Sequence, residues 1–211
     1  MKGKQVVLGH IGDAKVAALI VNGKLNDVLV EDLTRLPLGS ILRAVVDRPV
    51  KGIGGVMLRL PNGTGFLKKA KGLAPGQTIT VQTSGFAEAG KADPVNQRFI
   101  FKSRYAIVTP DQPGLNVSRQ IRSEDLRDDL TMLAKSAMEG SQMGLIIRSS
   151  AATADMEEIA EDIQAMRASA EAITAESGLE PEVLLEGDDP PVQAWRCLLY
   201  TSPSPRDTVR S

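Results

Sequence analysis

Ile41-Leu-Arg-Ala-Val-Val46, Gly55-Val-Met-Leu-Arg59, Thr64-Gly-Phe-Leu67 and Thr78-Ile-Thr-Val-Gln-Thr83 are the runs whose reading decides the fold. Each is short and rich in aliphatic or β-branched residues. Gly52, Gly54, Gly55, Gly63, Gly65, Gly72 and Gly76 separate them. Short strands joined by glycine-rich turns predict a small β barrel or sandwich.

Upstream, Val16-Ala-Ala-Leu-Ile-Val21 and Leu25-Asn-Asp-Val-Leu-Val30 flank Asn22-Gly23. That pair tolerates the positive φ of a tight turn, so a hairpin is predicted, with residues 5–8 as a third strand. The break at Leu36-Pro37-Leu38-Gly39-Ser40 marks a boundary. Downstream, strands are predicted at 99–108, 117–121 and 144–148. A helix begins after the N-cap Ser123, with Glu124 and Asp125 at its positive end. Leu126, Leu130, Leu133, Ala134 and Ala137 give it helical spacing, and Gly140 stops it. A second helix is predicted from about Ala154 to Ser177, striped by Met156, Ile159, Ala160, Ile163, Met166, Ala170 and Ile173. Both stripes read as core faces.

Composition excludes several classes. The 211 residues are 42% apolar and 24% charged, with a formal net charge of -1. No apolar run approaches the roughly 20 residues that span a bilayer, and no charged-then-apolar leader opens the chain. A cytoplasmic protein with no membrane partner is expected. One cysteine, Cys197, allows neither an internal disulfide nor a multi-cysteine zinc site, and the single His10 removes two-histidine mechanisms. The charge is unevenly spread. Residues 1–110 carry 16 Lys+Arg against 7 Asp+Glu, and the remainder 9 against 19. This points to a polyanion partner for the first half, or to two solvated faces of opposite sign, which composition alone favours.

The motifs are mostly weak. Gly85-Phe-Ala-Glu-Ala-Gly90-Lys91 has phosphate-loop spacing, but Ala92 stands where a magnesium-holding hydroxyl belongs and Asp93-Pro94 where a helix must start. A loop between barrel strands is the better reading. Asp155, Glu157, Glu158, Glu161 and Asp162 read as a solvated helix face rather than a metal site. Lys68-Lys69-Ala70-Lys71 after Phe66 has what single-stranded nucleic acid needs, a ring for stacking and cations for the backbone. On spacing alone an aromatic such as Phe66 is more often core. Arg148-Ser149-Ser150, between a strand and a helix, has the groups of a phosphate cradle or of a simple strand end.

Cys197-Leu-Leu-Tyr-Thr-Ser-Pro-Ser-Pro-Arg-Asp207 reads as no structural element and resembles translated sequencing-adapter DNA. Residues 197–211 are therefore set aside as an adapter-derived tail, and the natural protein is expected to run past Arg196.

Ser103-Arg-Tyr-Ala-Ile-Val-Thr-Pro110, Gly114-Leu-Asn-Val-Ser-Arg-Gln-Ile121, Met143-Gly-Leu-Ile-Ile-Arg-Ser149 and Gly65-Phe66-Leu67 together resemble the ribonuclease E/G family. The resemblance is to the N-terminal part of its short α-proteobacterial form. It implies an α+β fold with an OB-fold barrel at 37–97 inserted after an incomplete ribonuclease H-like hairpin at 1–36. An α/β 5′-sensor subdomain at 98–190 follows. Carried over by position, RNA would be bound by Phe66, Lys91 and Met57, the last standing where a second Phe is common. Lys68 and Lys69 add basic contacts. A 5′-phosphate would be held by Arg148 and by Ser149 in place of a Thr, beside Ile107, with Ser103 replacing a glycine. The expected partner is single-stranded RNA, preferably 5′-monophosphorylated, and the full-length form is a candidate homo-oligomer. The family is a magnesium-dependent endoribonuclease of RNA processing and decay. Its Mg2+ would sit on two aspartates beyond Arg196, so no catalytic residue, no metal ligand and no bound metal are expected here. The competing expectation is a non-catalytic OB-fold RNA-binding module.

Overall fold

In the computed structural model, residues 3–197 are described except 51, 53, 71 and 89, and the expected tail lies outside the described residues from 198 on. The chain begins with an antiparallel meander of β1 (Lys4–Ile11), β2 (Ala14–Val21) and β3 (Lys24–Val30). Asn22 and Gly23 take φ of 51° and 79°, the double left-handed turn that keeps strand twist in a two-residue hairpin. Val6, Ala17 and Leu19 form its buried side.

Five strands follow: β4 (Ile41–Val50), β5 (Gly55–Leu60), β6 (Gly63–Lys68), β7 (Thr78–Thr83) and β8 (Asp93–Asn96). Their order is β4-β5-β6-β8-β7, and a β4–β7 pairing closes the barrel. β4 manages this by changing partners. Residues 41–45 pair with β7 and 45–50 with β5, with a register shift between Val46 and Arg48. Such a bulge bends a strand enough to serve two sheet edges. β6 and β8 are parallel, so this is the OB order. Leu42, Ala44, Val46, Val56, Leu58, Leu60, Leu67, Ile79, Val81 and Val95 fill the interior.

β9 (Phe101–Lys102), β10 (Ala106–Thr109), β11 (Leu115–Val117) and β12 (Gly144–Ile147) form a four-stranded sheet in the order β11-β12-β10-β9. α1 (Glu124–Ala137) and α2 (Met156–Thr174) accompany it. Ser123 caps α1 by accepting from the Leu126 N–H at 3.4 Å. Ala106, Val108, Leu145 and Ile147 are buried, as are Ile159 and Ile163 of α2. The predicted strand at 99–108 is two strands. Between them Ser103 turns the chain, its N–H donating to the Ala106 carbonyl at 2.9 Å and its hydroxyl oxygen accepting from the Ala106 N–H at 3.1 Å. The strand placed at 117–121 runs instead over 115–117, because only Leu115, Asn116 and Val117 find partners on β12.

α2 ends three residues before the predicted Ser177. The segment that follows pairs as β13 (Glu182–Leu185) with the 41–43 stretch of β4. Arg43 is 6% exposed, yet its guanidinium meets Glu176 at 2.9 Å and Glu182 at 2.5 Å. A Cβ on Gly178 would strike that guanidinium and displace it. The last element, α3 (Pro190–Cys197), packs Ala194 with Val6, Ala17 and Leu19. The chain thus forms two units. One takes the residues up to Glu31, Ile100–Thr174 and those from Asp189; the other takes Asp32–Phe99 and Ala175–Asp188.

Candidate nucleic-acid interface

Two clusters hold the residues singled out by the sequence, one in each unit. In the barrel unit, strand alternation decides where each β5 and β6 side chain goes. Val56, Leu58, Leu60 and Leu67 point into the core. Met57 and Phe66 therefore point outward, and they are register partners across β5 and β6. The core alternative for Phe66 is thereby settled: it is half-buried on the outer face. Its ring occupies the space over Gly55, where a Cβ would come within 2.7 Å of it. Pro94 of β8 is its neighbour on the other side.

Arg59 shares this face by the same period-two logic, is exposed, and pairs with Thr64. Sequence reasoning missed it, although its spacing from Met57 carries the signal. Lys68 ends β6 and Lys69 follows, both exposed. Lys91 lies apart from them on the β7–β8 loop, ion-paired with Glu88 at 2.7 Å. The loop reading of the Gly85–Lys91 motif holds for its described residues, and Ala89 falls outside them. This loop also carries Phe86, 51% exposed with the Arg35 guanidinium 6.0 Å from its ring. The loop between the fourth and fifth strands is one that OB folds use for oligonucleotides.

In the other unit, the end of β12 meets the Ser103 turn. The Arg148 backbone N–H donates to the Tyr105 carbonyl at 2.8 Å, and the guanidinium donates to the Ser103 carbonyl. Ser149 donates its hydroxyl to the Gln120 side chain at 2.7 Å, and Ser150 to the Arg104 carbonyl at 2.5 Å. Ile107 is half-buried opposite Ile146, on the sheet face away from the core positions. Arg148 and the Ser103 turn are thus joined directly, Ser149 is the next residue along, and Ile107 stands on the other side of the sheet from the core positions.

Ser103 differs from the others. It is 1% exposed, and its hydroxyl donates to Asp162 at 2.5 Å. Asp162 also accepts from the Tyr105 N–H at 3.0 Å. Its carboxylate therefore serves the Ser103 turn and not a solvated helix face, as its sequence spacing had indicated. Tyr105 donates to Glu158 at 3.1 Å. Partial burial raises the Tyr105 phenol above its ordinary value; Arg104 opposes this and the Glu158 and Asp162 carboxylates reinforce it. Arg104 lies over the Trp195 ring at 4.1 Å and beside the Tyr105 ring at 5.5 Å. No sequence signal links residues 104 and 195.

Among the described residues no three His, Cys, Asp or Glu side chains converge on a point that could hold a metal ion. No described helix is long and apolar enough to cross a membrane.

A closed OB-type barrel with an aromatic and a thioether on its outer face belongs to the architectures that bind oligonucleotides. Comparison with known proteins makes the assignment particular. Residues 101–202 match the Ribonuclease E/G family. Ribonuclease E of Nostoc sp. (strain PCC 7120 / SAG 25.82 / UTEX 2576) is 27% identical over 88% of this chain, which spans 29% of that protein. Both similarities support the ribonuclease E/G family for this chain.

Proposed function

We propose that the chain is the RNA-binding, 5′-monophosphate-sensing portion of a ribonuclease E/G-like endoribonuclease acting on single-stranded RNA in the cytoplasm. The observation that carries it is the Met57–Phe66 pair on the outside of a closed barrel. A base stacking there gains about 1–3 kcal/mol, and the neighbouring cations serve the backbone. The meander then corresponds to a ribonuclease H-like hairpin and the β9–β12 sheet with its helices to the sensor. Arg148 is the group that grips a terminal phosphate bidentately, in exchange for its bond to the Ser103 carbonyl. Ser149 supplies a hydroxyl and Ile107 an apolar wall. In the longer protein, magnesium held by aspartates outside this chain would activate the attacking water. This chain's own residues bind and position RNA.

The Asp162 carboxylate favours a second reading. A negative charge bonded to Ser103 and Tyr105 repels a phosphate at that turn, as suits an RNA-binding module without 5′-end sensing.

One titration separates them. The purified chain is offered the same oligoribonucleotide with a 5′-monophosphate or a 5′-hydroxyl. Sensing requires tighter binding of the monophosphate and loss of that preference in Arg148→Ala. Equal affinity for both ends leaves only the binding module, and no binding of either at low salt ends the RNA reading.

A further inference from the structure

Where β6 and β8 end, the barrel unit carries a hollow of about 410 Å³ lined by Lys68, Lys69, Asn96, Gln97 and Arg98. We propose that it is a phosphate cradle, taking a phosphodiester of the RNA strand whose bases stack on Met57 and Phe66. This rests on the RNA-binding reading of the barrel face.

The charges in the hollow are uncompensated. No carboxylate lines it, and none of Lys68, Lys69 and Arg98 has an ion pair among the described residues. Elsewhere on the barrel, exposed Arg59 apart, the described cations are matched. Arg35 meets Asp32 and Asp93, Arg48 meets Asp47, and Lys91 meets Glu88. Three like charges gathered around one concavity raise each other's energy, and an anion relieves them. The donor set suits phosphate: a planar guanidinium fork, two ammonium groups and two side-chain amides.

Placement ties the hollow to the stacking face. Lys68 lies two residues beyond Phe66 with the same outward parity, roughly 7 Å along the strand. The parallel register Phe66↔Pro94 and Leu67↔Val95 brings Asn96 alongside Lys68. At the lip, Lys69 has φ of 58°, a left-handed conformation that non-glycine residues rarely adopt and that concentrates at ligand sites. A strand leaving the Met57–Phe66 pair therefore reaches these donors within its next phosphates.

The test uses the full chain and a 5′-hydroxyl decauridylate, followed by fluorescence anisotropy over a salt series. Arg98→Gln and Lys69→Gln should each weaken binding about fivefold at 0.1 M salt and flatten the log–log salt slope by about 0.7. Arg98→Lys should keep most of the slope. Phe66→Ala should weaken binding with the slope intact, and circular dichroism should match the parent for every variant. Inorganic pyrophosphate is the second probe. Pyrophosphate bound by the parent and lost in Arg98→Gln, with RNA affinity unchanged, would replace the phosphodiester by a free phosphate ligand and overturn the proposal. RNA affinity lowered by Phe66→Ala but untouched by both cation variants would also overturn it, leaving the barrel's RNA binding in place. No RNA binding by the parent would remove both readings together.

Discussion

Asp189 uses its two carboxylate oxygens for different tasks: one accepts from the Val192 N–H at 3.0 Å, and the other holds the Lys15 ammonium at 2.8 Å. The first bond caps α3 and the second fastens it to β2. Burial alone would raise the Asp189 carboxyl. The Lys15 hydrogen bond, the Val192 N–H and the lysine charge together outweigh that and hold it below the ordinary carboxylate value.

A lowered folded-state value means that Asp189 stabilises the fold fully above the unfolded value near 3.8. That contribution is lost as pH falls through the folded value. Asp189→Ala should therefore cost about 1 kcal/mol at pH 7, mainly the cap, and less at pH 3, where part of the charge's contribution is gone. Urea unfolding followed by Trp195 fluorescence at both pH values checks this. Equal losses at the two would refute the role of the charge.

Arg43 and its carboxylates should respond unequally. Glu176 and Glu182 have side chains 50% and 62% exposed, so Glu176→Gln and Glu182→Gln should each cost under about 1 kcal/mol. Arg43→Ala removes both anchors and leaves a void, and should cost about 2 kcal/mol or more. Gly178→Ala should resemble Arg43→Ala, because the added methyl takes the guanidinium's place. Chemical denaturation of the four variants ranks them.

Gly55 offers a way to move Phe66 without replacing it. A Cβ at residue 55 would lie 2.5 Å from the Leu67 carbonyl oxygen and 2.7 Å from the Phe66 ring. Gly55→Ala should lower stability by about 1–3 kcal/mol and weaken RNA binding as Phe66→Ala does. Loss of stability with full RNA affinity would show that the ring's position does not matter.

Asp162→Asn removes the negative charge beside the Ser103 turn while keeping an acceptor for the Ser103 hydroxyl and the Tyr105 N–H. If Arg148 receives a 5′-phosphate, this variant should raise the preference for monophosphorylated RNA about fivefold. A preference unchanged or reduced would place the phosphate elsewhere.

Local signals made much of this legible. Asn22-Gly23 announced its hairpin, Ser123 its helix, and the glycine-spaced runs from Ile41 to Thr83 the barrel's first four strands. β8 escaped because Pro94 lacks an N–H and argues against a strand, yet Asp93–Asn96 is wedged between β6 and β7. β13 is four residues long and exists through its pairing with β4, which no local pattern contains. α3 was readable in principle, since Asp189 is a good N-cap and Pro190 sits at the first helical position. At the site, Arg148 and Ser149 were visible as a motif. The role of Asp162 was not, because its partners at 103 and 105 lie more than fifty residues away.

The return of the chain to the barrel through β13 has a consequence for biosynthesis. When the ribosome has completed Phe99, the 41–43 edge of β4 is still bare and Arg43 has neither of its carboxylates. At 5–20 residues per second, Leu185 follows only after roughly 4–17 seconds. During that interval the nascent barrel presents an open strand edge, the feature most prone to intermolecular pairing. A barrel cut out as a single stretch ending near residue 99 would keep that edge permanently. Its soluble form needs the later segment fused back on, or a permuted gene that places residues 175–188 ahead of β4.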